Sequence, residues 1–186
     1  RNDYRKIDFD QNRLEEVKKK YFSQDKKNIL FLGRIVPFKG LDVLLLSLKP
    51  FKDKVRLVVA GEDSSAYAQK CKKIAKDNNI DAIFVGKVGD KKGSKEVVYF
   101  YRNADLFVLP NKYCPKQLEA VEIWGSVVDE AMFFSLPVIV TTATGCGKDL
   151  VEDKASGRLV KQGSVEELQK AIKDYLNNTE NWKESA

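Results

Sequence analysis

The chain has 186 residues, 43% apolar and 32% charged, a size and balance that suit one domain with a buried core. Its 33 basic and 27 acidic residues leave a net charge of +6, which suits a phosphate-bearing ligand, nucleic acid, an anionic membrane surface or a plain solvated face. There is no histidine, which removes Ser-His-Asp and Cys-His catalysis. The three cysteines, Cys71, Cys114 and Cys146, form no CxxC pair, so no zinc pattern is present and reduced or buried thiols are expected. No apolar run approaches the ~20 residues of a membrane-spanning helix. The first residue is Arg1 rather than Met, so the sequence reads as part of a longer chain whose targeting signals could have been cut off.

In chain order, residues 1–27 are polar and basic, with one amphipathic stretch around Leu14, Val17 and Tyr21. They read as a linker with a peripheral helix. NILFL (Asn28–Leu32) is the first short apolar run, followed by a helix predicted over Leu41–Leu48. VRLVVA (Val55–Ala60) and a helix over Ala66–Asn78 come next, then DAIFV (Asp81–Val85) and a helix over Ser94–Asn103. DLFVL (Asp105–Leu109) leads through a long loop to a helix over Gly125–Phe134. PVIVT (Pro137–Thr141), a short helix near Lys148–Glu152 and the weaker run GRLV (Gly157–Val160) follow. Ser164 and Glu167 form a capping box for a last helix, with Val165, Leu168, Ala171, Ile172, Tyr175 and Leu176 on one stripe. Residues 28–178 form the expected domain, and 179–186 begin a further C-terminal helix.

The apolar runs are mostly β-branched or aromatic and read as strands buried on both faces. Strand and helix in alternation predict an α/β fold, a doubly wound Rossmann-like parallel sheet of about six strands with helices on both faces. Right-handed crossovers put the helix-leading loops at the carboxyl edge of the sheet, where ligands meet helix N-termini. The loops to inspect therefore follow Leu32, Ala60, Val85, Leu109 and Thr141. The first reads GRIVPFKG. Gly33 turns the chain off the strand, Arg34 offers a planar fork, Lys39 a point charge, and Gly40 opens a helix whose amino end favours anions. This is a candidate diphosphate clamp; a basic surface loop is the plainer alternative. GxGxxG is absent after the first strand. TGCGKD (Thr144–Asp149) fails as a P-loop, because Thr142 stands where glycine is needed and Asp149 where Ser or Thr is needed.

The stretch EIWGSVVDE places Glu122 just before a predicted helix and Glu130 within it. Amides of Trp124, Gly125, Ser126 and Val127 would open that helix unpaired. Eight residues of helix span roughly 12 Å, about the length of a sugar diphosphate. One carboxylate could hold a sugar's hydroxyls and the other a ribose's, with phosphates between; two exposed glutamates are the plainer reading.

Taken together, these segments resemble the C-terminal, donor-binding domain of retaining GT-B glycosyltransferases of family 4, the glycosyl transferases group 1. The resemblance covers nearly the whole chain. It rests on NDYRKIDFD, FLGRIVPFKGLDVLLLSL as G-R-x(4)-K-G, VVAGED, FVGKV, YRNADLFVLP, and EIWGSVVDEAMFFSLPVIVTTATG as E-x(7)-E. It implies that Arg34 and Lys39 hold the donor diphosphate beside Gly33, in place of a metal ion. Glu122 would bind the donor sugar, amides across Ile123, Trp124, Gly125, Ser126 and Val127 would bind sugar and phosphate, Glu130 the ribose, and Lys87 and Val88 would lie along the base. Glu122, Arg34 and Lys39 are then the catalytic candidates.

The implied reaction moves a sugar from a UDP-, GDP- or ADP-linked donor to an acceptor hydroxyl with retention, with no cofactor and no metal. Either the leaving phosphate takes the acceptor's proton, or Glu122 acts as nucleophile in a double displacement. The implied partners are the nucleotide sugar, an acceptor glycan or lipid-linked sugar, and an acceptor-binding domain preceding this one, without which these residues should bind donor and transfer nothing efficiently. A cytoplasmic location follows, and a lipid acceptor would bring the full-length enzyme to the cytoplasmic membrane face. Two departures are visible. Ile123 stands where the family usually has a small residue, and Lys112–Val121 is an insertion.

Two other classes stay open at this level. One is a GT-B-related sugar epimerase or a phosphorylase. The other is a non-enzymatic basic α/β module for nucleic acid or anionic membrane. Against RNA, the aromatics are not interleaved with the basic residues as stacking platforms require, so no nucleic-acid partner is expected.

Overall fold

A computed structural model of the chain describes residues 10–89, 95–114, 125–151 and 157–184. Six strands form one sheet: β1 (Lys27–Leu32), β2 (Val55–Ala60), β3 (Ala82–Gly86), β4 (Leu106–Leu109), β5 (Val138–Thr141) and β6 (Gly157–Val160). All pairings are parallel, in the order β3-β2-β1-β4-β5-β6. The central strands β1, β2, β4 and β5 are buried on both faces, which is why their sequences run apolar without alternation.

The helices are α1 (Gln11–Tyr21), α2 (Leu41–Ser47), α3 (Ala66–Asp77), α4 (Glu96–Asn103), α5 (Ser126–Phe133), α6 (Val165–Asn177) and α7 (Thr179–Glu184). Alternate strand residues feed two cores. Ile29, Phe31, Leu106 and Val108 pack with α2, α3 and α6, with Trp182 of α7 in the same core. Leu30, Phe107 and Leu109 pack with α1, α4 and α5 through Val17, Phe100, Val128 and Ala131. Asp10 caps α1 by accepting from the amides of Asn12 and Arg13.

Several boundaries differ from the sequence reading, and side-chain bonding explains them. Asp81 and Asp105 precede β3 and β4 rather than start them. Asp81 bonds Lys26 and Arg56, and Asp105 accepts from the Asn28 amide. The short helix expected near Lys148–Glu152 is a π-type turn over Gly147–Val151, and Glu152 lies outside the described residues. The capping box forms by half. Ser164 accepts from the Glu167 amide, but Glu167 reaches back to the amide of Lys161, because Ser164 N–H already bonds the Lys161 carbonyl.

The strand order fixes where a ligand fits. From β1 the chain runs outward through β2 and β3, and from β4 it runs the other way through β5 and β6. The loops leaving neighbouring β1 and β4 therefore diverge to opposite faces: α2 packs with one core and α5 with the other. Between them lies the crevice that open α/β sheets offer to ligands.

Candidate functional site

The loop after β1 begins at Gly33, whose amide bonds the Ala60 carbonyl at 3.0 Å. Pro37–Lys39 then forms one 3-10 turn, with Phe38 buried. Arg34 and Lys39 converge on this ring. The Arg34 guanidinium lies 5.7 Å and the Lys39 ammonium 5.5 Å from its centroid, within cation–π range. Arg34 is exposed, whereas Lys39 is buried, its stem running beside Gly33. The turn brings the two cations together on one apolar platform at the carboxyl end of β1.

Gly40 ties this loop to β4. Its φ is 67°, and a Cβ there would stand 1.9 Å from the carbonyl oxygen of Pro110, just past β4. Only glycine fits so close an approach in that conformation. The Lys112 amide also donates to the Phe38 carbonyl at 2.7 Å. The Lys112 ammonium grips both oxygens of Asp42 at 2.8 Å, and the Tyr67 hydroxyl donates to the same carboxylate at 2.8 Å. Burial would push the Asp42 carboxyl up, but the bonds from Lys112 and Tyr67 hold it below the usual carboxylate range. Burial pushes the Tyr67 hydroxyl well up, and the Cys71 thiol up to about 11. At the amino end of α2 the Asp42 carboxylate also accepts from Val43 N–H.

On the other side of the crevice, α5 starts at Gly125, with φ 94°. A Cβ there would meet Thr144 Cγ2 at 2.9 Å and Cys146 Sγ at 3.3 Å. The first backbone bond of the turn is Val128 N–H to Gly125 O, so the amides of Ser126 and Val127 precede the intrahelical ladder. Among the described residues no side chain caps this end. Glu130 lies one turn further on, half-buried, and accepts from the Tyr101 hydroxyl of α4 at 3.0 Å.

Lys87 and Val88 follow β3, two strands from β1, Lys87 exposed and Val88 half-buried. They are therefore roughly 10 Å along the edge from the basic pair. The intervening strand end is tight, since a Cβ on Gly61 would stand 2.0 Å from the Gly33 carbonyl oxygen. Glu122, Ile123 and Trp124 lie outside the described residues, as does the insertion beyond Cys114. Three further residues were not singled out from the sequence. Tyr101 orients Glu130. Asn111, just past β4, and Thr144, whose Cγ2 lies by Gly125, are buried at 1% and 4% exposure. Nothing in their local sequence marks them, because Asn and Thr after a strand read as ordinary turn formers.

The family model described as "Glycosyl transferases group 1" matches residues 12–186. The chain belongs to that family. It is 28% identical over 168 residues to an uncharacterized glycosyltransferase of Haemophilus influenzae, covering 88% of this chain and 43% of that protein. It is 28% identical over 179 residues to the capsular polysaccharide biosynthesis glycosyltransferase CapM of Staphylococcus aureus, covering 94% and 43%. The chain thus spans less than half the length of these curated relatives. Among solved structures, the Anabaena protein HepE in complex with UDP and glucose superposes with a TM-score of 0.78 at 19% identity, over 94% of this chain and 45% of that one. The C-terminal domain of a glycosyl transferase group 1 family protein (LpcC) from Francisella tularensis gives 0.70 at 22% identity, over 95% and 87%. The fold is that of one half of a GT-B glycosyltransferase, an open six-stranded parallel sheet with helices on both sides.

Proposed function

We propose that these residues bind the donor for a retaining, family-4-type hexosyltransferase, which moves a sugar from a nucleoside diphosphate to an acceptor hydroxyl. The observation that carries this reading is the pairing of Arg34 and Lys39 around Phe38 at the β1/β4 switch point, across the crevice from the start of α5, which no described side chain caps. Two cations and a row of backbone amides suit a diphosphate, and can neutralise it as it leaves. Names among the relatives agree with such a donor. HepE was crystallised with UDP-glucose, and a Mycobacterium tuberculosis relative, 27% identical, is described as GDP-mannose-dependent.

Glu130, oriented by Tyr101, takes the ribose hydroxyls; charge-assisted bonds to a carboxylate are the stronger kind. Glu122 takes hydroxyls of the donor sugar, and Lys87 and Val88 border the base. In the step itself the bond from the sugar's anomeric carbon to the phosphate oxygen breaks. The acceptor oxygen bonds the same face of that carbon, and its proton passes to the departing phosphate. The acceptor binds a separate domain in this reading, so the 186 residues alone bind donor and transfer nothing efficiently.

The two glutamates provide the test. Glu130→Ala should weaken a free nucleoside diphosphate and its sugar form alike, by about 1.5–3 kcal/mol. Glu122→Ala should spare the free nucleotide and weaken only the sugar form. Calorimetric titration of both variants with UDP, UDP-glucose, GDP and GDP-mannose reads this directly. Equal weakening of both ligand forms by Glu122→Ala, or no effect of either variant, removes the assignment.

A further inference from the structure

Among the described residues, two buried polar side chains at the carboxyl edge of the sheet have no hydrogen-bond partner. Asn111 leaves both Nδ2 and Oδ1 unbonded, and Thr144 leaves Oγ1 unbonded. Leaving such groups unpaired is costly, and apolar residues of similar volume would avoid the cost. Their placement is specific. Phe107 and Leu109 of β4 face the core of α4 and α5, while Leu106 and Val108 face the other core. Asn111, two residues past Leu109, falls on the α5 side by strand alternation. Leu109 Cδ2 and Thr144 Cγ2 lie 3.6 Å and 2.9 Å from the point a Gly125 Cβ would occupy. Thr144 therefore flanks the turn at Gly125, and alternation past β4 puts Asn111 on the same side of the sheet.

Their chemistry selects among ligand groups. An amide and a hydroxyl are neutral and both donate and accept. Phosphate oxygens chiefly accept and are matched by the cations across the crevice. A sugar hydroxyl also donates and accepts without charge. We propose that Asn111 and Thr144 form a neutral subsite for hydroxyls of the transferred sugar and help set which nucleotide sugar the chain prefers. This inference rests on the donor-binding reading above. Both side chains are buried, so a sugar hydroxyl reaches them only after the turn at Gly125 shifts.

Asn111→Leu and Thr144→Val remove the polar atoms at nearly constant volume, with Asn111→Ala as a second variant should leucine not fit. The chain and its variants are titrated with UDP, UDP-glucose, GDP and GDP-mannose, and their Tm is measured. Each variant should weaken the nucleotide sugar that the wild type binds best by about three- to tenfold, as for loss of one hydrogen bond. Free nucleoside diphosphate should move less than twofold, and Tm should hold or rise in the leucine and valine variants. Wild-type sugar affinity in the variants overturns the subsite, whatever Tm does, and so does equal weakening of both ligand forms. If the wild type binds none of the four ligands and neither ADP nor ADP-glucose, the donor-binding reading itself falls and the subsite with it.

Discussion

Asn28 and Asn111 are both buried asparagines at opposite ends of the central strands, and the chain treats them differently. Asn28, where β1 begins, is fully engaged. Its amide nitrogen donates to the Ser23 carbonyl, its Oδ1 accepts from the Ser23 amide, and its own N–H bonds Asp105. Nearby, Asp81 is closed by Lys26 and Arg56, and the Asp105 carbonyl accepts from Tyr175. The Asn111 side chain, past the end of β4, has no hydrogen-bond partner among the described residues, and neither has the Thr144 hydroxyl, although the Asn111 carbonyl accepts from Thr141 Oγ1. Among the described residues the amino edge pairs most of its buried polar groups internally, the exception being the Trp182 indole N–H beside Tyr175. The carboxyl edge holds orphaned polar groups, unladdered amides and an exposed arginine. In the donor-binding reading proposed above, the carboxyl edge is the side that leaves polar groups for a ligand.

The largest effect should come from the joint that holds the ligand edge together. Gly40→Ala forces a side chain into left-handed backbone and onto the Pro110 carbonyl. Chemical denaturation should show a loss of about 3 kcal/mol, and nucleotide affinity should fall with it. A variant as stable as the wild type would mean that the β1 loop is not pinned to β4.

Asn28→Ala should affect the two properties separately. It strips partners from Ser23 and Asp105 and should cost about 2 kcal/mol in stability. Nucleotide affinity of the folded fraction should stay within twofold. A selective loss of binding would erase the distinction between the edges.

A smaller effect concerns acid. Burial alone would raise the Asp81 carboxyl, but the bonds from Lys26 and Arg56 outweigh it and hold it below its ordinary value of 3.8. Folding therefore favours the ionised form. That contribution is present in full above the unfolded value and is lost as pH falls through the lower folded one. Asp81→Asn should remove about 1 kcal/mol near neutral pH and flatten the acid limb of a stability-versus-pH curve. An acid limb identical to wild type would show that the amino-edge network does not set acid stability.

How much was legible in the sequence follows the same division. The strands could be read because Ile29–Phe31 or Leu106–Leu109 must be apolar on both faces to sit in a parallel sheet. Arg34 and Lys39 could be read because residue type and strand-end position suffice for a basic loop. Tyr101 could not, since its bond to Glu130 depends on how α4 lies against α5. Asn111 and Thr144 could not, because an unpaired polar atom is a property of packing. The partner of Glu167 was missed because the Lys161 carbonyl takes the Ser164 amide first.

The central claim is that the carboxyl edge at β1 and β4 binds a nucleoside diphosphate through Arg34 and Lys39. Calorimetric titration of the chain, Arg34→Ala and Lys39→Ala with UDP, GDP, ADP and the corresponding nucleosides tests it most directly. At least one diphosphate should bind saturably. Each substitution should weaken it by about 1.5–3 kcal/mol, with nucleoside binding little changed. Diphosphate affinity unaltered in both variants, or no saturable binding to the wild type, would contradict it.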